Sequence, residues 1–77
     1  MIQKGQKIKI KGNLREEMER LKFNKSSIDS MVKQFEGTEQ TAYDVYLDKD
    51  NDLLTEEWFV EVELCCVVPI AACELAV

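Results

Sequence analysis

The first hydrophobic pattern in the chain is a strict alternation over residues 6–11. Ile8 and Ile10 fall on one face of this segment, and the lysines between and around them fall on the other. A period of two places successive side chains on opposite faces of a strand. The pattern therefore predicts a first strand whose isoleucines enter the core and whose lysines face water.

Two helices are predicted between this strand and residue 37. Asn13 with Glu16 three residues later has the form of a helix N-cap, and Ser26 or Ser27 occupies the same position ahead of a second helix. Gly37 is placed to end the second helix in a left-handed conformation. The apolar positions recur at helical spacing and are Leu14, Met18 and Leu21 in the first helix and Ile28, Met31, Val32 and Phe35 in the second.

From residue 38 the period returns to two, which predicts three further extended segments. The first begins at Thr38, alternates through Leu47 and is followed by a polar turn at residues 48–52. The second covers Leu54 to Leu64. The last covers Val67 to Val77 and contains Pro69, which can sit at a sheet edge or open a short helical turn at residues 70–72.

Alternation along these strands separates inward from outward side chains. On the first, one face holds Thr41, Tyr43, Val45 and Leu47, and the other holds Ala42, Asp44 and Tyr46. On the second, the expected inward residues are Trp58, Val60, Val62 and Leu64, and the outward ones are Phe59, Glu61 and Glu63. The predicted core comprises Ile8, Ile10, Ile28, Met31, Val32, Phe35, Val45, Trp58, Val60 and Val62.

Length and composition limit what the chain can be. Its 77 residues suffice for one small domain, and 45% apolar with 32% charged residues is typical of a folded soluble protein. Residues 1–25 hold eight basic and three acidic side chains, whereas residues 26–77 hold two basic and twelve acidic ones. The first residues contain no apolar run of the kind found in secretion signals, so we expect a cytoplasmic protein.

The cysteine and histidine counts argue against an enzyme. The chain has no histidine, which removes the usual near-neutral base for nucleophilic catalysis. Its three cysteines, Cys65, Cys66 and Cys73, are too few for a zinc site and odd in number for a disulfide framework. We therefore expect a non-enzymatic protein without catalytic residues, cofactor or metal, whose cysteines act as small buried hydrophobic residues.

The turn at residues 48–52 imitates the start of a calcium-binding EF-hand loop, with aspartates at its first, third and fifth positions. Such a loop needs glycine at position six and a bidentate glutamate at position twelve, where this chain has Leu53 and Phe59. A solvated hairpin turn is the favoured interpretation, and a weak, adventitious cation site is the alternative.

Four short motifs are spread over nearly the whole chain. They are Lys4-Gly5-Gln6-Lys7-Ile8-Lys9-Ile10, Met31 with Phe35-Glu36-Gly37-Thr38, Trp58, and Val68-Pro69-Ile70 with Cys73-Glu74-Leu75. In this order the chain resembles the small SH3-like β-barrel proteins encoded by phages and prophages of Gram-positive bacteria. The resemblance implies a mostly β, α+β fold: one SH3-like antiparallel barrel over residues 1–77, with a helical insertion at about 14–36 before three or more strands. A two-helix α+β sandwich is the alternative.

Acidic residues are dense between Asp44 and Glu63, and two rings are predicted to face outward among them. Rings surrounded by carboxylates suit docking onto a basic protein surface. We therefore expect a phage or mobile-element accessory protein that binds a host or phage protein, for example as an inhibitor of a nucleic-acid enzyme. The predicted binding residues are Asp44, Tyr46, Phe59, Glu61 and Glu63. This hypothesis requires an exposed Phe59, because a Phe59 buried under the first helix could not act as an anchor.

Three alternatives remain open from the sequence. The acidic residues between Asp44 and Glu63 could form a solubilising surface that binds no partner. The lysines of the first strand could bind nucleic acid, although they lack interleaved aromatic residues, and Asp44, Glu61 and Glu63 are expected to neutralise them across strands. The apolar C-terminal segment could instead form a homo-oligomer by burying Val67, Val68, Ile70, Leu75 and Val77.

Overall fold

The computed structural model describes residues 2–48, 57–64 and 66–76. Within these residues the elements are β1 (Lys7–Ile10), α1 (Leu14–Arg20), α2 (Lys25–Phe35), β2 (Glu39–Thr41), β3 (Asp44–Asp48), β4 (Glu57–Val62), β5 (Cys66–Pro69), a 3-10 helix (Ile70–Ala72) and β6 (Cys73–Leu75). The described residues form a small α+β structure with two α-helices and two three-stranded antiparallel sheets. Both helices lie in the predicted interval. Of the two alternatives for Pro69, the structure shows both, because Pro69 ends the edge strand β5 and is followed by the short helical turn Ile70–Ala72.

The two sheets have the strand orders β2-β1-β6 and β3-β4-β5. Ile8 in the middle of the first sheet lies opposite Gln40 on one side and Leu75 on the other. Ala42 and Tyr43 separate β2 from β3, so the chain passes from one sheet to the other there. In the described residues the sheets are not seen to close into a barrel. None of the helices in this part of the chain is long and apolar enough to cross a membrane.

The passage between the sheets changes which side chains face inward. Ala42 is completely buried, whereas Tyr43 is 42% exposed. The amide of Ala42 donates to the Gln6 carbonyl beside β1 at 2.9 Å, but the amide of Tyr43 donates to the Glu61 carbonyl in β4, also at 2.9 Å. Because the two consecutive residues are held by different sheets, the alternation restarts between them. The prediction that Tyr43 shares an inward face with Val45 is therefore wrong.

An asparagine precedes each helix, but only the second one caps its helix. Asn24 Oδ1 accepts a hydrogen bond from the Ser27 amide at 2.8 Å at the start of α2. The predicted cap at Ser26 or Ser27 is therefore wrong, because both serines lie inside the first turn. Asn13 precedes α1 as predicted, but its side chain makes no capping hydrogen bond, and its Nδ2 donates to the Ala71 carbonyl at 3.3 Å.

A type II β-turn after α2 returns the chain to the first sheet. The Thr38 amide donates to the Phe35 carbonyl at 2.9 Å, and the backbone of Glu36 is extended between them. Gly37 has a φ of +79°, the left-handed conformation that this turn requires at its third residue. Its amide donates to the Ile10 carbonyl at 2.8 Å. The prediction of a left-handed Gly37 after the helix is confirmed, and the turn fixes α2 to β1.

The core contains most of the predicted residues and several others. The predicted residues that are buried are Ile8, Ile10, Ile28, Phe35, Val60 and Val62, while Met31, Val32 and Val45 are partly buried against them. Trp58 is partly buried but is not among the side chains packed against this core, so its assignment to the core is wrong. Further buried members are Ile2, Leu14, Met18, Ala42, Val68, Ala72 and Cys73. They come from α1, β5, the 3-10 helix, the start of β6 and the segments before β1 and β3.

The turn between β4 and β5 overturns the predicted position of Leu64. Glu63 and Leu64 have φ values of +53° and +58°, so the chain has left the strand after Val62. Leu64 is 69% exposed instead of inward-facing. The strand periodicity therefore ends two residues earlier than the apolar pattern indicates.

Candidate protein-binding face

The register between β3 and β4 brings most of the predicted binding residues together. Asp44 lies opposite Glu61, and Tyr46 lies opposite Phe59. Since every second residue of a strand shares a face, these four side chains form one patch on the side of the sheet opposite Val60. We call this patch, together with Asp48 at its end, the acidic face.

Phe59 lies in the acidic face but is not exposed. Its ring is stacked on Tyr46, with centroids 6.0 Å apart, and Phe23 from the connection between the helices meets it edge-on at 6.3 Å. Only 6% of Phe59 remains accessible to solvent. The prediction that Phe59 is an exposed anchor is therefore wrong, because rings from two neighbouring segments cover it. Strand alternation could not predict the burial of Phe59, because Phe23, which packs against it, is distant in sequence.

Tyr46 takes the exposed position that was expected of Phe59. It is 39% exposed, as its outward assignment predicted, and its ring stacks against the ring of Phe59. Partial burial raises the pKa of the Tyr46 hydroxyl above its ordinary value, and the charges of Asp48, Glu61 and Asp44 raise it further. The hydroxyl therefore lies in a negative field produced by three carboxylates.

The remaining acidic residues differ in how they join this face. Asp44 is exposed, and its Oδ1 accepts a hydrogen bond from the Val45 amide at 2.9 Å, which orients the carboxylate. Glu61 is partly buried in the middle of β4. Glu63 is exposed but lies in the turn beyond Val62, so the sheet register does not place it beside Tyr46. Four of the five predicted residues thus share a strand face, and Glu63 extends the charge beyond its end.

Glu57 lies on the same face of β4 as Phe59 and Glu61, and it forms an ion pair with Arg20. The sequence pattern did not single out this arginine. Arg20 at the end of α1 binds both oxygens of Glu57, at 2.9 and 3.3 Å, and also binds Glu17 at 2.9 Å. Hydrogen bonds to Glu57 and Glu17 raise the pKa of the Arg20 guanidinium above its ordinary range. Negative charge at this end is therefore offset within the protein. The sequence could not indicate this ion pair, because Arg20 and Glu57 are 37 residues apart in the chain.

The lysine strand has different neighbours from those predicted. Lys7 and Lys9 are exposed on β1, and Lys9 lies opposite Glu39 on one side and Glu74 on the other. The predicted neighbours Asp44, Glu61 and Glu63 belong to β3, β4 and the following turn, so that prediction is wrong. Negative residues do flank the lysine strand, but they come from β2 and β6, because the chain order allows both to pair with β1.

The C-terminal apolar segment contributes mainly to the protein's own core. Val68 is completely buried, and Val67 and Ile70 are partly buried. Leu75 on β6 is 46% exposed, while Val77 lies outside the described residues. The segment is therefore less available for association than its composition indicated, since most of its described apolar residues already pack within the chain.

Cysteines and carboxylates form no candidate metal site in the described residues. Cys73 is buried, and this burial raises the pKa of its thiol to about 11. Cys66 is partly buried, and Cys65 lies outside the described residues. The polar turn at residues 48–52 also lies outside the described residues apart from Asp48.

A comparison of the chain with protein-family models, curated proteins and solved structures finds no match.

Proposed function

We propose that this chain is a non-enzymatic binding module that docks onto a basic protein surface through its acidic face. One observation carries the proposal: an exposed tyrosine, Tyr46, lies on a buried ring and is surrounded by the carboxylates of Asp44, Asp48 and Glu61. This arrangement offers an apolar surface and negative charge at the same place.

An arginine or lysine side chain of a partner fits such a surface. Its cationic group can lie over the Tyr46 ring, where the negative face of the π system attracts it. Asp44 and Glu61 lie close enough to accept its hydrogen bonds, and an arginine can bind a carboxylate through two parallel hydrogen bonds. Because the Tyr46 ring is already stacked against its cross-strand neighbour Phe59, it loses little freedom on binding. The surrounding charge chiefly accelerates association.

The proposal extends to the setting implied by the sequence resemblance, a phage or mobile-element accessory protein that inhibits a nucleic-acid enzyme. A basic groove that binds phosphates would be complementary to this acidic face. We also propose an SH3-like arrangement of the strands. Its support is that β2 and β3 form a nearly continuous segment shared by the two sheets, that both helices lie between β1 and β2, and that a 3-10 helix precedes β6.

Titration calorimetry of the whole chain with a peptide of alternating arginine and glycine tests the binding proposal. We expect Asp44→Lys with Glu61→Lys to abolish binding, and Tyr46→Ala to weaken it about fivefold to tenfold. The matched control is Glu39→Lys with Glu74→Lys, which makes the same change in net charge on the other sheet. Equal losses in the two double variants would show that net charge alone attracts the peptide and would contradict the proposed site.

A further inference from the structure

A concave surface lies between α1 and α2, and none of the carboxylates of the acidic face lines it. It is a cleft of about 400 Å³, within the size range of small-molecule sites. Its lining combines charged and apolar side chains from both helices and their connection: Arg15, Glu19, Lys22, Phe23, Lys25 and Ile28. The proposed protein-binding function does not use this cleft.

The charge of the cleft is opposite in sign to that of the acidic face. Three of its lining residues are cationic, and Glu19 is the acidic residue among them. Arg15 is bound to Asp29 across the two helices at 2.9 Å, which connects the walls. Lys22 and Lys25 form no ion pair within the described part of the chain. Their ammonium groups are therefore available to an anion.

The apolar part of the cleft is already supported by the core. Ile28 is buried, and Phe23 is partly buried with its ring edge-on to Phe59. Since only 4% of Ile28 is exposed, a ligand in the cleft would cover mainly the Phe23 ring and would remove that apolar surface from water without disturbing the core. The cleft therefore combines an apolar wall with cationic groups, which favours a ligand with an apolar body and an anionic group.

We propose that this cleft binds a small anionic aromatic molecule. The flat part of the ligand packs against Phe23 and Ile28, and its phosphate, sulfonate or carboxylate lies between Lys22 and Lys25. Binding depends on both parts, since a lone anion gains only exposed ion pairs and a lone ring leaves the ammonium groups in water. Phe23 also packs against Phe59 of the acidic face, but Lys22 and Lys25 do not belong to that face, so either proposal can fail experimentally without the other.

Titration of the whole protein with 1-naphthyl phosphate, followed by two-dimensional NMR, tests the proposal. We expect chemical-shift changes centred on Phe23 and Ile28. Neutral 1-naphthol and inorganic phosphate should each bind at least about tenfold more weakly, because each supplies only one of the two interactions.

Charge reversal identifies the cationic groups responsible. We expect Lys22→Glu with Lys25→Glu to weaken 1-naphthyl phosphate binding about tenfold. The matched control is Lys7→Glu with Lys9→Glu, which changes the net charge equally on β1 and should leave the affinity nearly unchanged. Amide spectra that match the parent protein establish that each variant is folded. Equal weakening in both double variants, or 1-naphthol binding as tightly as its phosphate, would overturn the proposal.

Discussion

At the scale of single residues, the most informative pair is Tyr46 and Phe59. Both were expected to be exposed, because both occupy outward positions of neighbouring strands. Phe59 is instead enclosed by Tyr46, by Phe23 and by its neighbour Pro69 in β5. An outward position on a strand therefore does not establish exposure when another segment crosses that face. Of the two rings, Phe59 is buried, and Tyr46 is the one that the proposed partner could contact.

The enclosure of Phe59 predicts a large effect on stability. Phe59→Ala should lower the free energy of unfolding by about 3–5 kcal/mol, because it removes a buried ring and leaves a cavity. Tyr46→Ala should cost only about 1 kcal/mol, since that ring is partly in water and contributes mainly its aromatic pair. Urea denaturation of both variants provides the measurement. Similar small losses for the two variants would show that Phe59 is not part of the folded interior.

At the scale of elements, the sequence predicted what local periodicity determines. The alternation around Ile8 identified β1, and the spacing from Ile28 to Phe35 identified α2. The predictions were wrong where the folded chain interrupts the alternation of side chains along a strand. Tyr43 turns outward at the passage between sheets, and Leu64 lies in a turn. The acidic face was predictable as two strands with outward carboxylates, but its register and the cover from Phe23 required the folded chain.

The turn between β4 and β5 contains the clearest conflict between residue type and conformation. Glu63 and Leu64 both have left-handed backbones, which cost an ordinary L-residue about 1–2 kcal/mol each. Glycine adopts this conformation freely, although it also increases the entropy of the unfolded chain. Leu64→Gly should therefore stabilise the protein by about 0.5–1 kcal/mol.

A matched leucine elsewhere controls for the loss of an exposed apolar side chain. Leu75 is also exposed but belongs to β6, where glycine weakens a strand. Leu75→Gly should therefore destabilise the protein, so the same substitution has opposite signs at the two sites. Thermal unfolding of the two variants measures this difference. If Leu64→Gly lowers the melting temperature as much as Leu75→Gly does, the strain in the turn is not significant.

At the scale of the whole molecule, folding redistributes a charge asymmetry that the sequence displays in two blocks. The basic residues of positions 1–25 and the acidic residues of positions 26–77 do not form two separate halves of the folded protein. Lys9 is placed between Glu39 and Glu74, and Arg20 is placed against Glu57. Within the described residues, Asp44 and Glu61 of the acidic face and Lys22 and Lys25 of the cleft form no ion pair. Because these two regions have opposite charge, we propose separate ligands for them.

The same redistribution predicts that the lysine strand does not bind nucleic acid at physiological salt. Glu39 and Glu74 repel phosphates approaching Lys9, and interleaved rings for base stacking are absent from the sequence of β1. Fluorescence anisotropy with labelled single- and double-stranded oligonucleotides should therefore show no saturable binding by the parent protein. Glu39→Gln with Glu74→Gln should produce measurable binding at low salt that falls steeply as salt rises.

The control removes the same amount of charge from the other sheet. Asp44→Asn with Glu61→Gln should leave oligonucleotide binding undetectable, because those carboxylates do not flank the lysines. If the two double variants gained binding equally, net charge rather than the neighbours of Lys9 would control the interaction. Micromolar binding by the parent protein at physiological salt, lost on Lys7→Glu with Lys9→Glu, would make the lysine strand a functional surface. The acidic face would then no longer be the leading candidate, because the flanking glutamates would have failed to neutralise β1.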